Sequence, residues 1–420
     1  MLIKRIVANN FKSFGRLELD LDRFNVVVGA NESGKSNFIS ILRFLRDITG
    51  FNLRDAISIQ GGVKYLRNIS LGASQDLAVE VTLQPGGQGT LGIRKKRKYF
   101  AVRTNELTYG FALRFKKRGS GFQIASDYFH VKFAVFRFEP HKNNTPDPST
   151  QIWNGEGNVR RSGKKLTFDV HMPSDTPLKK DDLFPTFIRD FPLAQKGLMC
   201  EQPFYFQFLP SGPLFSDIGI YDFDPKLSKK AVLVSGRAEL EEGAGNLALV
   251  LRNVIENARN RRKLVNLFRD LLPFVEDTRI ERLTDKSVLF TIRERYFQKR
   301  YLPASLVSDG TIAIAALIVA LYFQEKSVLA IEEAERNIHP YLISKIVEMM
   351  KDASKNKQII VTTHNPDLVR QAGIENLLLV TRDKNGFSNI SKPADKREIR
   401  QFLQNEIGVE ELYAKNLLEV

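Results

Sequence analysis

The sequence predicts an α/β fold with an inserted β-rich arm, and three observations lead to this prediction. Over residues 1–90, short β-prone runs alternate with one helical pattern. Residues 91–235 change to β-prone runs separated by polar stretches that contain Gly and Pro. From residue 236 onward, helical patterns alternate with buried strands, as in α/β proteins. We therefore expect an N-terminal lobe (1–90), an insert (91–235) and a C-terminal lobe (236–420).

Hydrophobic periodicity assigns the individual elements. The expected strands are Leu2–Val7, Leu17–Leu21, Phe24–Val28, Tyr109–Phe115, Val131–Phe138, Val288–Ile292, Val328–Ile331 and Gln358–Val361. The expected helices are Phe38–Leu45, Asn246–Glu256, Arg259–Leu272 and Ile312–Tyr322. Two polar, irregular stretches in the insert, Glu139–Ser149 and Pro173–Asp182, predict an exposed tip of the arm.

The composition is that of a soluble chain with substantial cores. Hydrophobic residues make up 43% and charged residues 26% of the 420 residues, which is the ordinary range. The longest apolar stretch, Thr311–Phe323, is shorter than the roughly 20 residues of a membrane helix, so we expect a buried helix. The start, MLIKRIVANNFKSFG, lacks the apolar run of a signal peptide. The single cysteine, Cys200, excludes an intrachain disulfide and a Cys-cluster metal site. We expect a cytoplasmic location and no membrane association.

The formal net charge of +15 is concentrated in one window. Residues 91–118 contain ten basic residues and one acidic residue, Glu106, a net charge of +9. Such a cluster favours a polyanionic partner such as nucleic acid, because Lys and Arg that neutralise phosphates release counterions. A β-hairpin with solvated, charged faces explains the pattern equally well. The basic residues are Arg94, Lys95, Lys96, Arg97, Lys98, Arg103, Arg114, Lys116, Lys117 and Arg118. The interleaved aromatic residues, which could stack on bases, are Tyr99, Phe100, Tyr109 and Phe115.

The first motif is a GxxxxGKS loop between the strand Phe24–Val28 and the first helix. Glycines let backbone amides surround phosphates, and the helix N-terminus adds partial positive charge. Lys35 can reach the β- and γ-phosphates, and the Ser36 hydroxyl can ligate magnesium. We therefore expect ATP and Mg²⁺ as ligands. The residues expected to contact the nucleotide here are Gly29, Asn31, Gly34, Lys35, Ser36 and Asn37.

The second motif is a pair of carboxylates, Glu332 and Glu333, directly after the apolar strand Val328–Ile331. Open α/β sheets bind their ligands at the carboxyl ends of strands. One carboxylate can hold magnesium, and the next can orient or deprotonate water for attack on the γ-phosphate. We assign Glu332 to the metal and Glu333 to the water. An exposed acidic helix start also places carboxylates side by side, and the preceding apolar strand favours the site.

The third motif is the polar end of another apolar strand, where His364 follows Thr362 and Thr363. His364 lies 31 residues after Glu333, a distance that accommodates one helix and a return strand. At that strand end, its imidazole can hydrogen-bond the γ-phosphate or the attacking water. A lone histidine is more often structural, and the repeated strand-end pattern favours function here.

The fourth motif precedes the apolar helix Ile312–Tyr322 and contains Ser308, Asp309 and Gly310. Ser308 is expected to cap that helix, and Gly310 leaves the helix N-terminus open to a phosphate. Capping alone is a sufficient structural explanation. Taken singly, this motif is weak, and the assignment of Ser308 and Gly310 to nucleotide binding comes from the resemblance described next.

Together, in this order, the four motifs resemble the ABC-type ATPases of the RecF, SMC and Rad50 group, and in particular the predicted ATPases built as one short chain with a RecF-like head. The resemblance covers residues 1–90 and 236–420 and does not extend to the insert. The residues on which the resemblance rests are Ile3-Lys4-Arg5 and Asn10-Phe11-Lys12-Ser13-Phe14 (first strand and turn), Ser308-Asp309-Gly310-Thr311 (signature), residues 331–340 (Walker B and D-loop) and residues 362–368 (switch histidine).

This resemblance implies an ABC-type P-loop ATPase head with an inserted β-rich arm. It implies that Ser308 reaches the γ-phosphate of ATP held by another protomer, so that ATP joins two chains in a homodimer or a higher homo-oligomer. Two departures stand out: Glu332 replaces the usual Asp, and Asp309 stands where transporters have Gly. The second departure points away from transport. For the lid glutamine that ligates the metal, the candidate is Gln60, although an ordinary polar surface residue is the better explanation for it.

ATPases of this short kind resemble the ATPase subunits of anti-phage systems such as Septu, PARIS and retrons, and also DNA-repair ATPases. The resemblance implies a switch that dimerises on ATP and acts in bacterial anti-phage defence with a partner effector protein. The alternative is a RecF-like DNA-binding ATPase in DNA repair or maintenance. A further alternative is an ATPase-nuclease of the overcoming-lysogenization type, in which a Toprim domain follows the ATPase. About 50 residues follow His364 without an acidic cluster, so we expect no such domain.

Overall fold

In the computed structural model, the chain forms two compact units. The first unit comprises residues 1–22, 37–217 and 382–390, and the second comprises residues 23–36, 218–381 and 391–420. The residues that the structure describes are 1–86, 90–95, 98–119, 121–138, 151–184, 193–194, 196–201, 214–234, 236, 239–284, 286–297, 300–396 and 408–414.

The strands and helices follow the order along the chain. The strands are β1 (Leu2–Phe11), β2 (Phe14–Asp20), β3 (Phe24–Val28), β4 (Leu77–Gln84), β5 (Thr90–Lys95), β6 (Lys98–Phe115), β7 (Phe122–Phe138), β8 (Gln151–Ser162), β9 (Lys165–His171), β10 (Ile218–Tyr221), β11 (Val232–Leu233), β12 (Val275–Arg282), β13 (Ser287–Glu294), β14 (Leu302–Pro303), β15 (Val328–Glu332), β16 (Gln358–Thr363), β17 (Leu377–Arg382) and β18 (Ser388–Ser391). The helices are α1 (Lys35–Gly50), α2 (Leu53–Ile59), α3 (Val63–Leu66), α4 (Lys180–Leu183), α5 (Pro225–Ser228), α6 (Leu247–Glu256), α7 (Ala258–Leu271), α8 (Asp309–Phe323), α9 (Ile343–Ser354), α10 (Pro366–Ala372) and α11 (Val409–Ala414).

The first unit is built on an eight-stranded sheet with the order β2-β1-β4-β6-β7-β8-β9, in which β5 also pairs with β6. All of its printed pairings are antiparallel. Buried and half-buried residues alternate along most of β4, as expected when one face of an antiparallel sheet packs on a core. The strands of residues 91–171 continue the sheet that β1 and β4 begin. The boundary predicted at residue 90 therefore does not separate compact units in the structure.

The basic cluster predicted at residues 94–118 is divided by the fold. Strand β6 is 18 residues long, and at about 3.3 Å per residue it separates its ends by roughly 50–60 Å. Arg94 and Lys98 lie at the β5–β6 hairpin, whereas exposed Lys116–Arg118 lie beyond the other end of β6. Lys96 and Arg97 lie outside the described residues. The described basic residues therefore form two separate groups rather than one patch.

The aromatic residues of this window do not support the predicted base stacking. Phe100, Tyr109 and Phe115 are 3%, 1% and 5% exposed, so the prediction that they stack on bases is wrong. They point into the core because buried side chains occur at every second position over much of β6. Tyr99 is half-buried, and the Arg94 guanidinium lies 5.5 Å from its ring centre.

The predicted tip of the arm is only partly described. Glu139–Ser149 lies outside the described residues. The stretch Pro173–Asp182 is irregular until helix α4 begins at Lys180, as the polar sequence predicts.

The second unit contains a sheet with the order β10-β15-β16-β3-β17-β18. The pairs from β10 to β17 are parallel, and strands β3 and β16 are buried throughout, as expected for a sheet covered on both faces. Helix α8 is buried from Thr311 to Leu321, so the predicted buried helix is confirmed. Strands β11–β14 form a smaller antiparallel sheet. Within the described ranges, no helix is long and apolar enough to cross a membrane.

Candidate nucleotide-binding site

Three of the predicted segments meet at the carboxyl edge of the parallel sheet. Strand β15 pairs with β16 so that Glu332 lies opposite Thr362, and β16 pairs with β3 so that Thr363 lies opposite Val28. The Gly-rich loop starts directly after Val28, and Glu333 is the first residue after β15. Backbone register therefore brings the loop, the carboxylate pair and the histidine segment to one edge.

Glycine is required at two positions of the loop. At Gly29, an added Cβ would lie 2.3 Å from the Val380 carbonyl oxygen and 2.8 Å from Ser33 Oγ. Gly34 has a φ of 120°, a conformation that L-residues rarely adopt. Between them, Asn31 is exposed and Glu32 has a φ of 64°. The loop is therefore a tight backbone turn in which a side chain would clash at Gly29 and would be strained at Gly34.

Lys35, the first residue of α1, is 9% exposed and closes the loop. Its Nζ donates to the carbonyl oxygens of Gly29 at 2.7 Å and Ala30 at 3.0 Å. Burial lowers the pKa of the Lys35 amine, and the charges of Glu333 and Glu335 oppose that change. The Lys35 ammonium group is thus held against the loop backbone, and the charges of two carboxylates affect its pKa.

The neighbouring residues Ser36 and Asn37 lie on different sides of the division between the units. Ser36 belongs to the second unit and is exposed, as a hydroxyl that meets a ligand must be. Asn37 belongs to the first unit, where its Nδ2 donates to Ser13 Oγ at 2.8 Å. The nucleotide contacts of both residues stay predictions.

Glu333 has its two carboxylate oxygens committed to different partners. His364 Nδ1 lies 3.5 Å from Glu333 Oε1. Arg336 donates to Glu333 Oε2 through Nε at 3.0 Å and Nη2 at 2.9 Å. Arg336 Nη1 also donates to Asp222 Oδ1 at 2.7 Å. The structure therefore brings the two predicted catalytic residues together and adds Arg336, which fixes the carboxylate.

The backbone of Glu333 is also specialised. Its φ of 46° is uncommon for a residue with a side chain. Its N–H donates both to the Thr362 carbonyl at 3.0 Å and to Thr362 Oγ1 at 3.1 Å. This turn bends the chain out of the sheet as soon as β15 ends, and Thr362 holds it in place.

Glu335 is a second carboxylate at this edge, and the sequence motifs predict no role for it. It is 7% exposed, and Oε1 accepts a hydrogen bond from Thr363 Oγ1. Oε2 is buried and has no hydrogen-bond partner among the described residues. Burial raises the pKa of the Glu335 carboxyl, and the Thr363 hydrogen bond opposes that change. The available signal was the position of Glu335 two residues after Glu333, but local sequence does not show burial.

Ser308 caps helix α8, as predicted. Its Oγ accepts from the Thr311 N–H at 3.2 Å and lies 2.9 Å from Thr311 Oγ1. An added Cβ at Gly310 would lie 2.6 Å from the Asn337 carbonyl oxygen. The glycine is therefore needed where the start of α8 packs on the backbone of residues 337–338. Ser308 itself is exposed, and its contact with ATP on another protomer stays a prediction.

The donors near the loop fit a hydrated magnesium ion held together with phosphates. Ser36 and Glu332 offer hard oxygen atoms, which Mg²⁺ prefers, and this ion usually keeps several waters. Glu332 is half-buried at the end of β15. No group of three His, Cys, Asp or Glu side chains within the described ranges could hold a metal by itself. Gln60 is buried at the end of α2 in the first unit, and its assignment to the metal stays a prediction.

Comparison with known proteins assigns the class. One family model, described as an AAA ATPase domain, matches residues 1–123. A second, described as an AAA domain, putative AbiEii toxin, Type IV TA system, matches residues 210–370. Residues 1–123 and 210–370 therefore match models of ATPase domains, and such domains bind ATP. More particularly, both matches are to ATPase domains, in agreement with the resemblance to RecF-, SMC- and Rad50-like ATPases that the four motifs carry.

One solved structure supports the same fold. An SMC head bound to the C-terminal winged-helix domain of ScpA has a TM-score of 0.51 with 14% identity, covering 93% of this chain and 98% of that one. The SMC head domain from Thermotoga maritima has a TM-score of 0.43 with 18% identity, covering 93% and 99%. The first of these similarities confirms the predicted α/β, ABC-type head with a β-rich antiparallel sheet.

One curated relative shares a short segment with the chain. Endonuclease GajA from Bacillus cereus (strain VD045) is 41% identical over 59 residues. The match covers 13% of this chain and 10% of that protein. The chain thus matches about a tenth of the relative's length.

Proposed function

We propose that this chain hydrolyses ATP at the carboxyl edge of the β15-β16-β3 strands. The observation that carries the proposal is the shared register of the phosphate loop, Glu333 and His364 at that edge. Lys35 places a positive charge where the β- and γ-phosphates bind. Glu333 accepts the proton of the attacking water, and His364 supports the carboxylate oxygen Oε1 and the water.

Magnesium fits this arrangement through Ser36 and Glu332, and when bound it neutralises charge on the phosphates. Arg336 keeps Glu333 from rotating, because two of its nitrogens bind one carboxylate oxygen. The carboxylate is thus pre-oriented before any ligand arrives, which reduces the reorganisation needed in the transition state.

Two substitutions test the activity. Lys35→Ala removes the phosphate-binding charge and should abolish nucleotide binding. Glu333→Gln should keep binding and reduce turnover by roughly 10²–10⁴-fold, because an amide cannot accept the proton. Binding is measured with a fluorescent nucleotide and turnover as phosphate release. Glu348→Gln, an exposed carboxylate on α9, is the matched control. Turnover of Glu333→Gln close to that of the parent removes Glu333 from this role.

We further propose that ATP joins two protomers through Ser308. The buried helix α8 holds the exposed Ser308 at a rigid N-terminus, as a γ-phosphate sensor requires. Lys35→Ala and Ser308→Arg should each be inactive alone. A mixture can form a heterodimer with one intact composite site, so part of the ATPase activity should return. If the heterodimer forms and no activity returns, the site is completed within one chain.

The proposed biological role is a defence switch that controls a partner effector. Its support is the resemblance to short RecF-like ATPases of anti-phage systems, together with the shared segment of an endonuclease. The test is a phage challenge of bacteria that express this gene with its neighbours. Protection that is lost in Glu333→Gln supports the role. Normal plating with increased sensitivity to DNA damage in the deletion strain favours the RecF-like alternative in repair or maintenance.

A further inference from the structure

Glu335 presents an unusual acceptor to the candidate site. Among the described residues, its Oε2 is buried and has no hydrogen-bond partner, whereas Oε1 is anchored by Thr363 Oγ1. Thr363 Oγ1 in turn accepts from the Asn365 N–H at 2.9 Å. The anchoring fixes the orientation of the carboxylate. Buried polar atoms in folded proteins nearly always have partners, so a fixed, unsatisfied oxygen points to a ligand.

The anchor of Glu335 lies at the strand end from which the phosphate loop begins. Its anchor, Thr363, lies opposite Val28, the last residue before the loop. The charge of Glu335 also acts on the Lys35 amine. All of these residues belong to the second unit.

The chemistry of the ligand limits what can satisfy Oε2. A carboxylate oxygen accepts hydrogen bonds, and the triphosphate of ATP offers acceptors only. The Lys35 amine donates to two loop carbonyls in this structure, and in the proposed ATP site it donates to the phosphates instead. The donors that arrive with the nucleotide at this edge are the water molecules that Mg²⁺ retains.

We propose that Glu335 is a positioning residue for the hydrated metal, and that its Oε2 accepts a hydrogen bond from a metal-bound water. This inference rests on the proposed ATP site. It adds to Ser36 and Glu332 a residue that orients the waters around the ion. Groups of this kind typically change metal affinity by 10–100-fold when they are removed.

The test measures metal affinity directly rather than activity. Glu335→Gln keeps an oxygen for Thr363 but replaces Oε2 with an N–H donor, which cannot accept from water. Mn²⁺ is titrated by electron paramagnetic resonance into protein saturated with a non-hydrolysable ATP analogue. We expect its dissociation constant to rise about 10-fold or more, while metal-free nucleotide affinity in EDTA stays at the parent value. Glu348→Gln is the exposed control.

Two further variants separate an acceptor role from packing. Glu335→Asp retains a carboxylate and should lose less Mn²⁺ affinity than Glu335→Gln. Equal losses in both variants mean that packing is responsible, and they overturn the proposal. If Glu335→Gln does not fold, Thr363→Val removes the anchor and should weaken Mn²⁺ binding, and unchanged affinity contradicts the proposal.

The outcomes also distinguish this inference from the proposed function. If the parent protein binds no nucleotide, the ATP site itself is wrong. If the parent binds nucleotide and Mn²⁺, and folded Glu335→Gln has the parent dissociation constant for Mn²⁺, only the role of Glu335 is wrong.

Discussion

Substitution of Gly310 tests whether the start of α8 must contact the backbone of residues 337–338. An ideal Cβ at Gly310 lies 2.6 Å from the Asn337 carbonyl oxygen, whereas ordinary contacts begin at about 3.4 Å. Gly310→Ala therefore requires a shift of about 0.8 Å. The obstructing atom belongs to the backbone and cannot rotate away. Overpacking of this kind typically destabilises a protein by about 1–3 kcal/mol.

The expected result is a lower melting temperature of the second unit. For a unit of this size, roughly 2–4 °C is lost for each kcal/mol, and the transition is measured by differential scanning calorimetry. Ser308 and Thr311 flank Gly310, so the same shift should disturb the helix cap and reduce ATP hydrolysis. The matched control is Gly50→Ala at the end of α1, where an added Cβ meets nothing within 4 Å.

A double substitution makes the test sharper. Asn337 has a φ of 64°, which glycine adopts without strain. Asn337→Gly should let the opposing segment move, so the destabilisation of the double variant should be smaller than the sum of the two single effects. If Gly310→Ala melts and hydrolyses ATP like Gly50→Ala, the close contact does not govern this motif.

Three other predictions address charge. Burial raises the pKa of Asp127 to about 6, so the folded chain holds that proton more tightly than the unfolded chain. Acidification from pH 7 to pH 4 should stabilise the parent relative to Asp127→Asn by about 2 kcal/mol in denaturant unfolding, and a pH-independent difference contradicts this. Burial lowers the pKa of the Lys35 amine, and the charge of Glu333 opposes that change. As the pH rises, Lys35 of Glu333→Gln should therefore lose its proton, and the protein its nucleotide affinity, at a lower pH than in the parent. Identical pH profiles of nucleotide affinity in the two proteins contradict this. Lys117→Glu and Arg94→Glu alter opposite ends of β6, so one of them and not the other should weaken the salt-dependent nucleic-acid binding that the basic window predicts; equal losses would argue against two separate groups.

The sequence predicts those parts of the site that local pattern determines. The phosphate loop follows β3, the two carboxylates stand at the end of β15 and just after it, and the histidine follows β16, and parallel strands bring such ends together. The buried helix α8 is likewise visible, because Thr311–Phe323 is an uninterrupted apolar run. In these cases the signal lies within a few residues of the structure it describes.

Other features depend on contacts that local pattern does not contain. The contact between Arg336 and Glu333 depends on the turn at Glu333, which has a positive φ. The unpartnered state of Glu335 Oε2 depends on burial. The prediction of a single basic patch with base-stacking aromatic residues is wrong for a related reason. Charge density along the sequence cannot reveal that an 18-residue strand separates its ends, or that Tyr109 faces the core.

The spacing of strands explains why these particular positions act together. Glu333 follows β15 and the loop follows β3, with β16 between them. Two strand spacings amount to about 10 Å, a gap that accommodates a phosphate group, an attacking water and a hydrated ion. Thr362 and Thr363 form the buried floor of that gap, where one holds the Glu333 turn and the other anchors Glu335. The sheet therefore fixes all three strand ends in register, and the Lys35 amine, which donates to the Gly29 and Ala30 carbonyls, is the group that we expect to turn towards the phosphates.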